Sequence, residues 1–202
     1  MDPKVMFNIT YGLYLLTARQ MGKDNGCIIN TVMQVAEDPI RIAVSVLKGN
    51  LTHDMIRATG VFNVSAISTS ADFALFQRFG MQSGRAVDKF ADFPDGARSA
   101  NTVYYLAKKA NMYLSAMVLQ EVDMGTHTLF IAEVVDGEIL NSEPACTYGY
   151  YQSDIKPQPK KTGQTKQWEC KICGYVYEGE EVPDDYLCPL CNHGKDVFVP
   201  LK

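Results

Sequence analysis

The sequence predicts a mainly β fold with a few short helices, a barrel or sandwich, followed by a small metal-knuckle domain. Three observations lead there. Apolar residues alternate with polar ones in runs between residues 40 and 135, and glycine-containing turns close those runs. Helix signals are short and few, and they do not alternate with strands as βαβ units require. Four of the six cysteines fall within the last 33 residues.

Taken in order, Ile40, Ile42, Val44 and Val46 share one face of a period-two strand. Thr52 stands where it would cap a helix ending before Gly60, and Val61–Ile67 reads as the next strand. A second helix is expected over Ala71–Phe79, stopped by Gly80. The longest pair of strands is Met112–Val122 and Thr126–Val135, joined through Asp123-Met124-Gly125, with Asp136-Gly137 marking a further turn.

The 202 residues are 47% apolar and 21% charged, which excludes a disordered or collagenous chain. No run of 18 apolar residues predicts a membrane span, and Met1-Asp-Pro-Lys-Val-Met lacks the basic start of a secretory signal. We therefore expect a cytoplasmic protein. A net charge of −4 argues against a general nucleic-acid binder. That charge is unevenly spread. Residues 1–151 carry 12 basic against 15 acidic side chains, residues 152–167 four against one, and residues 168–202 three against seven. The middle stretch has Ile155 as its one apolar residue and reads as a basic linker, spanning roughly 20–24 Å as a flexible coil. The expected domains are thus 1–151 and 168–202.

Cys170-x-x-Cys173 and Cys188-x-x-Cys191 lie 14 residues apart. Two such knuckles bring four thiolates to one tetrahedral ion, and a 35-residue segment needs that metal to fold. Spacing alone leaves zinc and iron open. The flanking pattern Cys170-Lys-Ile-Cys-Gly-Tyr-Val-Tyr177 and Pro183-Asp-Asp-Tyr-Leu-Cys-Pro-Leu-Cys191 resembles rubredoxin. That resemblance implies one iron passing single electrons. The spacer is shorter than in stand-alone rubredoxins, and Asn192 stands where glycine is usual.

No G-x-G-x-x-G or P-loop occurs. Asn30-Thr-Val-Met-Gln34 and Lys48-Gly-Asn50-Leu-Thr52-His53 instead form a polar cluster around strand ends, suited to a phosphate or to a solvated turn. The run from Asp38-Pro39 to His53, with Phe79-Gly-Met-Gln-Ser-Gly-Arg85-Ala-Val-Asp-Lys89 and Gly125-Thr-His127-Thr-Leu-Phe-Ile-Ala-Glu-Val134, resembles the flavin reductase family and its flavoredoxin branch. The resemblance implies a dimeric split β-barrel holding FMN. Asn30, Thr31, Val32, Met33 and Gln34 would then line the isoalloxazine. Lys48, Asn50, Thr52 and His53 would approach the ribityl phosphate, Leu47 would also bind the cofactor, and Arg85 would reach a phosphate or serve as a surface salt bridge. His127, the catalytic candidate, would lie beside the flavin or an incoming nicotinamide. Cys27 and Cys146 read as buried small residues.

Domain order resembles the high-molecular-weight rubredoxins of anaerobes. That group's properties imply NAD(P)H oxidation through FMN and iron, with a flavodiiron protein reducing oxygen or nitric oxide as the electron-accepting partner, and a homodimer built through the flavin domain. Two other readings stay open: a pure electron shuttle reduced by a separate reductase, and a zinc-ribbon interaction protein.

Overall fold

The computed structural model describes residues 5, 8–157, 166–191 and 193–201. Strand β1 (Tyr14–Gln20) turns into β2 (Lys23–Ile29) through Met21 and Gly22, with φ of 49° and 81°. Consecutive positive φ lets a two-residue hairpin match the twist of its strands. Then follow β3 (Val32–Glu37), β4 (Ile40–Leu47), helix α1 (Leu51–Thr59), β5 (Val61–Ile67) and helix α2 (Phe73–Gly80). A ribbon of β6 (Gly96–Arg98) and β7 (Tyr104–Leu106) precedes the long strands β8 (Ala110–Asp123) and β9 (His127–Ile139).

Seven strands make one antiparallel sheet, ordered β2-β1-β5-β8-β9-β4-β3. Cys27 and Ile29 of β2 bury in the same cluster as Ile42, Val44 and Val46 of β4, together with Phe62 and Phe130. In a flat sheet β2 and β4 would be five strand spacings apart, about 24 Å. A shared core therefore requires the sheet to curl into a barrel. Helix α1 adds Met55 and Ile56 to that core. A second cluster, with Leu15, Ile67, Leu75, Phe76 and Phe79, packs α2 on the outer face. Adjacent Leu15 and Leu16 are both fully buried, so β1 is covered on both sides.

Several expectations shift in detail. Ile40 stays exposed while Ile42, Val44 and Val46 bury. Asn50, not Thr52, is the N-cap of α1, because the buried Thr52 hydroxyl accepts a hydrogen bond from Asn25 Nδ2 at 2.9 Å. Helix α2 starts later than expected, at Phe73, where the Asp72 carboxylate accepts from the Leu75 N–H at 3.2 Å. Asp136-Gly137 is not a turn. Strand β9 runs through it, pairing Gly137 with Leu114, where a Cβ would lie 2.9 Å from the Tyr113 carbonyl oxygen.

The stretch expected to be linker is partly helical. Residues Tyr151–Ile155 form a π-helical turn, with Tyr151 buried and Ile155 packed on the second cluster. The remainder of the predicted linker includes residues 158–165, which lie outside the described residues. The C-terminal module is a three-stranded sheet, β11-β10-β12, of β10 (Gln167–Cys170), β11 (Val176–Glu178) and β12 (Phe198–Pro200).

Candidate functional site

The four knuckle cysteines meet at one point. Their sulfurs all lie within 4.8 Å of one another, with Cys170–Cys191 at 3.6 Å and Cys173–Cys188 at 3.4 Å. A tetrahedral ion with metal–sulfur bonds near 2.3 Å sets sulfurs about 3.8 Å apart, so the four thiols fit such an ion. The first knuckle is closed by Gly174 at φ 71°, whose N–H donates to the Cys170 carbonyl at 2.7 Å. In the second, the Cys188 N–H donates to the His193 carbonyl at 2.8 Å. Trp168, Tyr175, Tyr177, Tyr186 and Phe198 pack around the sulfurs, with the Tyr177 and Tyr186 rings 4.6 Å apart. Burial raises the Cys191 thiol to about 12, so metal binding must release protons here. Asn192 lies outside the described residues.

Two adjoining clefts open on the barrel, sharing Leu47, Asn50 and Gly80. The smaller, about 300 Å³, sits at the start of α1. Asn50 makes no side-chain capping bond, so the first N–H groups of α1 keep donors for a ligand. Lys89, only 4% exposed, lines the same cleft. Its ammonium donates to the carbonyls of Gly26 and Phe79, each at 3.0 Å, and retains a third donor. Burial lowers the Lys89 pKa. This cleft suits a phosphate.

The larger cleft, about 670 Å³, mixes apolar Ile28, Ile29 and Leu129 with polar Asn30, Thr31 and His127. It suits a flat ring system with a few hydrogen-bonding edges. Across the β4–β9 pair, Leu47 stands opposite His127, and both line this cleft. His127 Nδ1 is 2.9 Å from the Thr126 hydroxyl. Together the clefts complement what FMN carries: donors for an anion at one end and a partly apolar slot for an aromatic ring at the other.

Of the residues expected at the cofactor, the clefts collect Asn30, Thr31, Leu47, Asn50, Thr52 and His127. The others are placed elsewhere among the described contacts. Val32 packs against the first core, while Met33 is exposed and the Gln34 amide donates to the Ala36 carbonyl. Lys48 pairs with Asp123 at 2.7 Å across the β8–β9 turn. His53 is buried, its Nε2 2.9 Å from the Thr128 hydroxyl and its Nδ1 3.1 Å from Asp54. Arg85 pairs with Asp54 at 2.5 Å, and this hydrogen bond, then that of His53, holds the Asp54 carboxyl below its usual range. Asn25, Ser83 and Gly84 join the phosphate-type cleft without having been expected. Gly84 is a close-approach glycine, since a Cβ there would lie 2.1 Å from Asn25 Oδ1.

Fold and sites define a two-centre protein, a flavin-type barrel carrying a tetrathiolate metal module. Residues 6–158 match the flavin reductase like domain family, and residues 168–199 match the rubrerythrin, rubredoxin-like domain. The high molecular weight rubredoxin of Moorella thermoacetica is 36% identical over 98% of this chain and 99% of its own. A ferric-chelate reductase (NAD(P)H) of Archaeoglobus fulgidus is 34% identical over 80% of this chain and 95% of its own. In three dimensions, the NADH:FAD oxidoreductase SgcE6 of Streptomyces globisporus C-1027 superposes with a TM-score of 0.62 at 22% identity, over 69% of this chain and 86% of that one, which establishes the fold as the flavin reductase split barrel. The chain belongs to the flavin reductase like family and, through its fused rubredoxin-like module, to the high-molecular-weight rubredoxins.

Proposed function

We propose that this protein oxidises NAD(P)H at FMN held in the paired clefts and passes the electrons singly, through a four-thiolate iron, to a partner of flavodiiron type that reduces oxygen or nitric oxide. The observation that carries the proposal is Met81, which lines the phosphate-type cleft and also packs in the cluster of the four cysteines. The two centres therefore share a wall. When bound, FMN supplies the conversion of a two-electron hydride into single electrons, and the iron supplies the one-electron step.

The chain's own residues bind and orient. Lys89, Thr52 and the start of α1 hold the phosphate, and Asn30 and Thr31 offer hydrogen bonds at the ring end. His127 lines the ring cleft where a donor arrives. The nicotinamide in the name of the Archaeoglobus relative supports that donor, and the rubredoxin-like match supports iron over zinc. Six free cysteines suit a reducing cytoplasm. Among the described residues no helix is long and apolar enough to cross a membrane.

The reading includes a homodimer. Register places Met33, Ala43, Ile131 and Met117 on the outer face of the adjacent strands β3, β4, β9 and β8, Leu119 and Val135 sit at the two bulges of the β8–β9 pair, and Met33, Met117, Leu119 and Val135 are exposed. Such a face is suited to a second copy. Light scattering on the eluting protein should give twice the chain mass, and Met33→Glu should halve it.

Anaerobic NADH added to the purified protein tests the central step. Flavin and ferric-thiolate absorbance should both bleach within seconds. Bleaching only through a separate reductase would make the protein an electron shuttle. A colourless zinc protein would remove the redox reading.

A further inference from the structure

The metal module is seated on its own barrel at one corner, the C-terminal turn of α2 and Met81. There the Gln77 amide donates to the Leu190 carbonyl of the second knuckle. Met81 is buried with the four cysteines, and Phe73 of α2 packs on the same cluster as Leu190. At the first knuckle, Ile172 and Gly174 join Met81, Thr147 and Tyr151 around a crevice of about 890 Å³. Ile172 and His193 also line the phosphate-type cleft, beside Gly80, Ser83, Gly84 and Lys89. One wall of that cleft thus comes from the metal module.

We infer that the α2–Met81 corner is a docking surface whose occupant is the metal module of the same chain, and that the docked module forms a removable wall of the flavin cleft. The second half rests on reading the cleft as the flavin site. A module tethered to its platform docks at an effective concentration that a free partner rarely reaches, so a small interface suffices. Ile172 and Leu190 each neighbour a metal ligand, Cys173 and Cys191. The docked barrel covers part of each face, Leu190 being half-buried against the cluster that holds Met81 and Phe73 and Ile172 lining the cleft, so an external acceptor that needs the whole of either face must wait for undocking. Flavin release is then coupled to docking. A ligand whose pocket is partly closed by a movable element leaves only when that element opens.

The test uses the full chain with its metal. Gln77→Arg places a charge on the platform and Ile172→Glu one on the knuckle tip, which is 47% exposed and need not disturb the module. Unchanged metal content confirms that each variant keeps its tetrathiolate site. In flavin-free protein, amide hydrogen exchange should be slow at residues 77–84 and 171–174 in the wild type, and should quicken at both segments in both variants. FMN loaded on the protein and released into an excess of a flavin-binding trap should leave about tenfold faster from the variants, equivalent to about 1.4 kcal/mol. Equal exchange in wild type and both variants would overturn the docking. Faster exchange with release changed less than twofold would overturn the wall. Failure of the wild type to bind FMN would overturn the flavin reading and the wall with it, while the exchange result would still decide docking.

Discussion

At the residue scale, Lys89 concentrates the physics of the cofactor cleft. A buried ammonium is held by two backbone carbonyls from distant parts of the chain, Gly26 and Phe79. Lys89→Met removes the cation and strands two carbonyls, each worth about 1–3 kcal/mol when unsatisfied. Both chemical denaturation and FMN titration should register the loss. The pH dependence has a definite sign. Because burial lowers the folded pKa, the folded chain sheds this proton before the unfolded one. The penalty on stability is full below the folded pKa and is relieved as pH rises toward the unfolded value near 10.4, while anion affinity falls over the same window. Lys89→Met should flatten both curves. In the sequence, Lys89 reads as readily as a surface charge as a ligand, because nothing local announces carbonyls 63 and 10 residues away. Thr52 and Asn50 were legible because they sit at a helix start. His53 was not, because its partner Thr128 lies on β9, 75 residues on.

At the element scale, the long β8–β9 hairpin was legible from its alternation and its Asp-Met-Gly turn. Strand β1 was hidden for a physical reason: Leu15 and Leu16 are buried on opposite faces, which erases the period of two. Strand β3 was hidden for the opposite reason, since Met33, Gln34 and Val35 are all exposed. Helix α2 joins the two units, because it forms the floor of the second core and carries the corner on which the metal module sits. Its N-cap, Asp72, also pairs with Lys109 at 3.0 Å. Asp72→Ala should cost about 1 kcal/mol in denaturant unfolding. The Lys109 hydrogen bond lowers the Asp72 pKa, so this contribution is present above the unfolded carboxylate value and is lost as pH falls through the lower folded one. The exposed pair itself adds little.

At the scale of the whole molecule, two folding units with different sources of stability share one chain. The barrel is held by two apolar clusters, whereas the metal module gathers its aromatic residues around four sulfurs. Cys188→Ser should therefore abolish metal binding and unfold residues 168–201, while far-ultraviolet circular dichroism keeps the barrel's signal and FMN still binds. The division into two chemistries was legible from cysteine spacing and charge. Their mutual placement was not, because it rests on contacts such as Gln77 with Leu190, which no local pattern encodes. The proposed reaction passes electrons within one chain, from flavin to the tetrathiolate iron. The most direct test is anaerobic stopped-flow reduction followed at both flavin and ferric-thiolate wavelengths across a range of protein concentrations. Flavin should bleach first, and the iron should follow at a rate independent of protein concentration. An iron that stays oxidised beside reduced flavin, or whose rate rises in proportion to protein concentration, would contradict that reaction.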